Sequence, residues 1–103
     1  MPAPDWLEVR RVLAAQVPQL EVWAFGSRAT GTPKPHSDLD LALITEMPLS
    51  LTQLANVVHA FELSDLSIHV DVVDWASASK AFQRIISTGK VVLQHAPGES
   101  RSG

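Results

Sequence analysis

The sequence of residues 38–45 is DLDLALIT, and this segment constrains the fold more strongly than any other. Successive side chains of a β-strand point to opposite faces, so residues two apart share a face. The three leucines are therefore expected to point into a core, while Asp38 and Asp40 project together from the other face. Aspartate is disfavoured in strands and adjacent carboxylates repel each other, which makes this pair the first candidate for a functional site.

Two explanations fit this aspartate pair when it is taken alone. A divalent cation between the carboxylates would relieve their repulsion, since Mg²⁺ is typically held by one or two carboxylates together with substrate phosphates. Alternatively, Ser37-Asp38 closes a turn and Asp40 is a solvated residue at a strand edge. A D-x-D pair by itself does not decide between the two.

A third carboxylate, Asp71, lies inside the strand-forming run IHVDVVD at residues 68–74. Val70 and Val72 are expected to be buried, so Asp71 points to the opposite face. If this strand lies beside residues 38–45, the carboxylates form one cluster, which could hold two metal ions that activate an attacking oxygen and stabilise a leaving one. The alternative is an edge-strand charge that discourages aggregation.

Upstream, the apolar run LEVWAF at residues 20–25 predicts a strand that ends at Gly26. A glycine at this point allows a ligand to approach the backbone closely. The amides of Ser27 and Arg28 begin a turn whose positive end suits a phosphate, and the Ser27 hydroxyl adds a donor. A strand followed by Gly-Ser is common. Arg28 could pair with phosphate or carboxylate, although a lone arginine is more often a solvated surface residue.

Three helices are predicted from apolar residues at helical spacing. They cover residues 5–17 with Asp5 as N-cap, residues 51–62 behind a capping box of Ser50 and Gln53, and residues 78–88 between Ser77 as N-cap and Gly89 as C′ residue. The inward faces are expected to carry Trp6, Val9, Leu13 and Val17, then Leu51, Leu54, Val58 and Phe61, then Phe82, Ile85 and Ile86. Residues 26–37 are expected to form a loop, and residues 91–94 a short extended segment.

This order of elements predicts one α/β domain over residues 1–96. It would be a small mixed sheet of three or four strands, with the helices packed mainly on one face. Residues 97–103 are expected to form a disordered tail. The 103-residue length suits a single domain and leaves no room for a second.

Composition excludes several classes of function. The net charge is −3 and no basic run is longer than Arg10-Arg11, so a footprint for double-stranded nucleic acid is not expected. The absence of cysteine excludes disulfides, thiolate zinc sites and cysteine nucleophiles. No segment reads as a secretory signal or a membrane span, which favours a cytoplasmic protein without a membrane partner.

Together, the motifs resemble the signature of the DNA polymerase β-like nucleotidyltransferase superfamily, and most closely its minimal nucleotidyltransferase branch. That signature is G-S-x-A-x-G, then S-D-x-D-L, then a third aspartate on a later strand. Here it matches Gly26-Ser-Arg-Ala29 with Gly31, Ser37-Asp-Leu-Asp-Leu41 and Val70-Asp-Val-Val-Asp74. The order of elements also resembles the family over nearly the whole chain. Many minimal members carry a second arginine where this chain has Thr30, so one phosphate-facing positive charge is missing.

The resemblance implies an enzyme that uses ATP and Mg²⁺, with two metal ions expected, and transfers a nucleotidyl group to an acceptor hydroxyl with release of pyrophosphate. The implied catalytic and metal-binding residues are Asp38, Asp40 and Asp71, and the implied phosphate-binding residues are Gly26, Ser27 and Arg28. Asp71 would also help to deprotonate the acceptor. The protein would contribute mostly positioning and charge stabilisation.

The resemblance also implies a partner, because minimal nucleotidyltransferases are commonly encoded beside HEPN-domain RNase toxins. The chain would then be an antitoxin that transfers AMP to a tyrosine hydroxyl of its toxin. Three rival hypotheses stay open. The protein could be an antitoxin that neutralises by binding alone, which Thr30 favours. It could be a small-molecule nucleotidyltransferase that acts as a dimer, or a structural domain that binds no ATP.

Three further residues near the motifs have lesser expected roles. His36, in the loop before Asp38, is interpreted as a solvent-exposed loop residue. His69 lies two residues before Asp71 and therefore on the same face, at the rim of the expected cleft. Asp74 is expected to cap the last helix rather than to bind metal.

Overall fold

The strands form one mixed sheet with residues 38–45 at its centre. The computed structural model describes residues 3–26, 38–66 and 68–97. Its elements are α1 (Ala3–Gln16), β1 (Glu21–Phe25), β2 (Leu39–Ile44), α2 (Leu51–Glu62), β3 (Val70–Asp74), a 3₁₀ turn (Trp75–Ser77), α3 (Lys80–Thr88) and β4 (Val91–Gln94). The sheet order is β3-β2-β1-β4, with β2 parallel to β3, and β1 antiparallel to both β2 and β4.

Several sequence predictions concern residues outside those ranges. They are the loop after Gly26, with Ser27, Arg28, Thr30 and His36, and the tail beyond residue 97.

The main core lies between one face of the sheet and the helices α1 and α2. Leu39, Leu41 and Leu43 of β2 are fully buried in it, as the alternation in the sequence predicts. Val9 and Leu13 of α1 are also fully buried. Helix α1 begins at Ala3, so Asp5 lies in its first turn and the N-cap prediction is wrong. A carboxylate in the first turn still interacts favourably with the helix dipole.

Helix α2 begins with the predicted capping box. The Gln53 amide N–H donates to Ser50 Oγ at 3.1 Å, and Ser50 N–H donates to Gln53 Oε1 at 3.1 Å. The predicted inward face needs one correction, because Leu51 is 87% exposed while Val57 is buried beside Phe61. Leu51 is the first residue of the helix, and contact with the core begins one turn later.

Helix α3 packs on the opposite face of the sheet, so two of the three helices share a face. Ser79, not Ser77, is its N-cap, because residues Trp75–Ser77 form the 3₁₀ turn. Ile86 is fully buried but the adjacent Ile85 is 64% exposed, since consecutive helical residues lie about 100° apart. Gly89 is the C-cap at φ −127°, not a left-handed C′ residue. None of the helices in the described ranges is long and apolar enough to cross a membrane.

Asp74 is buried at the end of β3 and joins it to the connection between β2 and α2. Its carboxylate accepts hydrogen bonds from the Thr45 hydroxyl, from Leu49 N–H at 2.7 Å and from Ser77 Oγ at 3.2 Å. It makes no side-chain cap hydrogen bond, so its predicted capping role is wrong. Instead it joins the end of the edge strand β3 to the end of its neighbour β2.

Replacing this carboxylate should therefore destabilise the protein. We expect Asp74→Ala to lower the free energy of unfolding by about 1.5–3 kcal/mol, because it leaves a partly buried N–H and a buried hydroxyl without their charged acceptor. Urea unfolding followed by circular dichroism measures the change. The exposed Glu46, on the same connection, serves as control, and Glu46→Ala should stay within about 0.5 kcal/mol of the parent. Equal losses for the two variants would contradict the assignment.

Candidate metal centre

The parallel register of β2 and β3 places the predicted carboxylates side by side. Asp40 and Asp71 are Cα partners on the ladder. One step earlier, Leu39 N–H donates to the His69 carbonyl at 3.0 Å, so the same register continues to the start of both strands. Asp38 and His69 each lie two residues before a ladder partner, and strand alternation therefore puts all four side chains on one face.

The polar atoms of this group are close enough to share a ligand. The carboxylate oxygens of Asp38 and Asp71 and a ring nitrogen of His69 lie within 4.8 Å of one another, and all three residues are exposed. His69 Nε2 lies 2.9 Å from Asp71 Oδ1. The three carboxylates singled out from the sequence are thus brought together. The histidine predicted only for the cleft rim lies within the cluster.

Asp40 lies deeper in the cluster than its neighbours. Burial raises the pKa of its carboxyl above the ordinary value, and the carboxylates of Asp71 and Asp38 raise that pKa further. Both effects oppose a negative charge at this position. A divalent cation would offset them, and carboxylate oxygens are the ligands that Mg²⁺ prefers. These side chains fit a hard divalent cation, because they offer carboxylate oxygens as ligands and because an ion can reach them from solvent.

Gly26 follows the last residue of β1 and lies against the carboxylate cluster. Its φ is +83°, in the region that side chains with a Cβ rarely adopt. A Cβ added at Gly26 would lie 2.5 Å from Asp40 Oδ2. The sequence suggested that a ligand approaches the backbone closely at this glycine. In the structure the Asp40 carboxylate comes close, and it needs the space that a side chain at residue 26 would occupy. Ser27 and Arg28 follow directly and stay predictions as phosphate ligands.

Aromatic packing supports the strand end that precedes Gly26. The rings of Phe25 and Phe82 meet edge to face with centroids 5.8 Å apart. Phe25 is also the Cα partner of Asp40 on the β1–β2 ladder. Helix α3 therefore packs against the end of β1 on the sheet face that also presents the carboxylates. Gly26 follows directly from this strand end.

The chain matches a known protein family over most of its length. Residues 8–97 match the family model described as "Polymerase beta, Nucleotidyltransferase". The chain belongs to this nucleotidyltransferase family. It is also similar to the probable protein adenylyltransferase MntA of Haemophilus influenzae, with 46% identity over 86 residues that cover 84% of this chain and 75% of that protein. The family resemblance found in the motifs is confirmed.

Solved structures agree with the predicted fold. The chain resembles a toxin–antitoxin complex crystallised with AMP-PNP, with a TM-score of 0.75 and 24% identity over 90% of this chain and 75% of that one. A variant MntA–HpeT toxin–antitoxin complex gives a TM-score of 0.71 and 26% identity over 88% and 72%. A third is an MNT antitoxin with a tri-AMPylated Shewanella oneidensis HEPN toxin, at 0.68 and 22% over 93% and 74%.

The crowding of carboxylates should lower the free energy of unfolding of the metal-free protein. In metal-free buffer, Asp40→Asn should raise the free energy of unfolding by roughly 0.2–1 kcal/mol, because it removes a half-buried charge that faces a like charge on the next strand. Urea unfolding in the presence of a chelator measures the gain. Asp65→Asn, at an exposed position away from the cluster, should show no comparable gain. Destabilisation by Asp40→Asn would contradict this view of the cluster.

The conformation of Gly26 makes a second prediction. Gly26→Ala should lower the free energy of unfolding by about 1–2 kcal/mol, the cost of a left-handed residue with a Cβ. It should also weaken Mg²⁺ binding measured by calorimetry, because the methyl group displaces Asp40. The control is Gly89→Ala, since its backbone has negative φ and admits alanine. If both alanine variants behave alike, the close contact with Asp40 is not what requires glycine at residue 26.

Proposed function

We propose that this protein is a metal-dependent protein adenylyltransferase that transfers AMP from ATP to a hydroxyl, expected to be a tyrosine, of a HEPN-domain toxin. It would act as the antitoxin of that toxin in the cytoplasm. The observation that carries the proposal is the convergence of Asp38, Asp40 and Asp71 on one sheet face by strand register. It is supported by a relative described as a probable protein adenylyltransferase and by fold neighbours that are toxin–antitoxin complexes.

Asp38, Asp40 and Asp71 would hold Mg²⁺, and we propose two ions. Three carboxylates supply enough oxygen ligands for such a pair together with the phosphates of ATP. When bound, the ions would neutralise charge on the triphosphate and on the departing pyrophosphate. The pKa-raising environment of Asp40 favours this arrangement, because a neighbouring cation stabilises its charged form.

The residues of the chain would act mainly by positioning. The acceptor oxygen forms a bond to the α-phosphorus of ATP, and the bond from that phosphorus to the pyrophosphate oxygen breaks. Asp71 is exposed at the mouth of the cluster, where it would accept the acceptor's proton. Gly26, Ser27 and Arg28 would hold the β- and γ-phosphates, with the missing Cβ of Gly26 keeping room for Asp40.

An antitoxin that works by binding alone is the second candidate, and Thr30 is the residue that favours it. It stands where many minimal nucleotidyltransferases have a second arginine. Loss of one positive charge would weaken the hold on phosphate without changing the carboxylates. The two candidates differ in whether neutralisation of the toxin requires the carboxylates.

Transfer of label to the toxin tests the catalytic proposal. The protein is incubated with α-labelled ATP, Mg²⁺ and a HEPN-domain toxin, and the toxin should gain AMP on tyrosine as measured by mass spectrometry. The double variant Asp38→Asn/Asp40→Asn should lose more than about 100-fold in rate, because loss even of groups that only orient metal ligands costs 10–100-fold. The exposed-site variant Asp65→Asn should keep the parent rate.

Growth rescue separates the two candidates. Cells that express the toxin should be rescued by the parent protein and by Asp65→Asn, but not by the double variant. If the double variant rescues growth and the toxin carries no AMP, the protein neutralises by binding and the catalytic proposal is wrong.

A further inference from the structure

His69 is the member of the cluster that the proposed reaction does not use. It occupies the fourth corner of a square whose other corners are Asp38, Asp40 and Asp71. The hydrogen bond from Leu39 N–H to the His69 carbonyl fixes its position along the ladder at 3.0 Å. Its side chain therefore projects into the carboxylate cluster because of strand register and not because of a loop conformation.

His69 and Asp71 are joined by a hydrogen bond whose length also matches the separation of two ligands on one cation. Two ligand atoms that lie about 2.1 Å from an ion, at right angles, are about 3 Å apart. His69 Nε2 and Asp71 Oδ1 are 2.9 Å apart. Asp38 completes a set of three donor atoms within 4.8 Å of one another. A cation with octahedral geometry could bind all three with small side-chain adjustments.

Both polar atoms also face open solvent. The side chains of His69 and Asp71 are 59% and 50% exposed, so an ion can reach them without movement of the fold. In a neutral imidazole, one ring nitrogen carries a proton and the other has a free lone pair. In the hydrogen bond, Nε2 donates its proton to Asp71 Oδ1, and a cation would take the place of that proton when the imidazole carries its hydrogen on Nδ1 instead.

We propose that His69 supplies a nitrogen ligand, beside Asp38 and Asp71, to one divalent cation, and that it biases this position towards first-row transition cations such as Co²⁺ over Mg²⁺. Imidazole binds transition cations well, whereas Mg²⁺ prefers oxygen ligands. A cluster of carboxylates alone would lack this bias. The inference rests on the proposed function only in taking the carboxylate cluster as a cation site.

Binding of Co²⁺ and of Mg²⁺ to the isolated protein, without ATP or toxin, tests the proposal. In calorimetric titrations, His69→Ala should weaken Co²⁺ binding by about 10-fold or more, the scale on which a lost metal-site interaction acts. Mg²⁺ binding should change by less than about threefold, because Mg²⁺ gains little from nitrogen. His69→Gln should resemble His69→Ala, since an amide can hydrogen-bond Asp71 but offers no imidazole nitrogen. His59→Ala, at an exposed position on α2, is the matched control and should leave both affinities unchanged.

Proton NMR of the Co²⁺-loaded protein gives a direct signature. An imidazole bound to Co²⁺ should show a strongly shifted, non-exchangeable ring C–H resonance, which His69→Ala and His69→Gln abolish and His59→Ala retains. If the resonance is absent from the parent, or if His69→Ala weakens Co²⁺ and Mg²⁺ binding equally, the proposal is wrong. Failure of AMP transfer with these binding results intact would refute the proposed function but leave the role of His69 standing.

Discussion

The parallel ladder between β2 and β3 is the constraint on which the site depends. It makes Asp40 and Asp71 neighbours, although 30 residues separate them in the chain. Side chains alternate along a strand, so a slip of one residue in this pairing would turn the side chains of β3 to the wrong face. The carboxylate cluster therefore exists only in one register, and the rest of the fold has to hold that register.

Burial on the other face of the sheet holds it. Leu39, Leu41 and Leu43 are fully buried beneath α1 and α2. Each leucine contributes about 1.5–3 kcal/mol when it is removed from water, whereas a like-charge pair on adjacent strands costs only about 0.2–1 kcal/mol. The free energy gained by burying these leucines therefore exceeds the free energy lost to repulsion between the carboxylates on the other face. At the far end of the same strands, Asp74 joins them through Leu49 N–H and the Thr45 hydroxyl.

The carboxylate cluster of the site weakens the free protein. Asp40 is held where burial and two other carboxylates oppose its charge. Gly26 has a left-handed backbone whose missing side chain leaves room for that carboxylate. Functional sites commonly keep such local conflicts, and the surrounding structure compensates for them. A bound cation would relieve the conflict at Asp40, because it stabilises the charged form of that carboxyl.

Local pattern was enough to predict most of the elements and the faces of the two aspartate-bearing strands, β2 and β3. Alternation over residues 38–45 and 68–74 sorted buried leucines and valines from projecting carboxylates, and Ser50 with Gln53 marked the start of α2. These predictions succeeded because the periodicity of a strand and the hydrogen bonds of a capping box involve only neighbours in the chain. Predictions that needed helix orientation did less well. Leu51 and Ile85 are apolar and helical but exposed, because packing against the sheet decides which edge of an apolar stripe is covered.

The sequence by itself determined that Asp38 and Asp40 share one face of their strand, that Asp71 projects from the polar face of a separate strand, and that a glycine ends the strand before them. Only the tertiary structure decided that the two aspartate-bearing strands lie side by side in parallel, that His69 joins the cluster, and that Gly26 makes room for Asp40. Asp74 likewise acquired its role only through contacts with Thr45 and Leu49, far from it in the chain. The physical reason is the same in each case. Pairing and close approach between distant segments depend on how the core packs, and a local pattern carries no record of that packing.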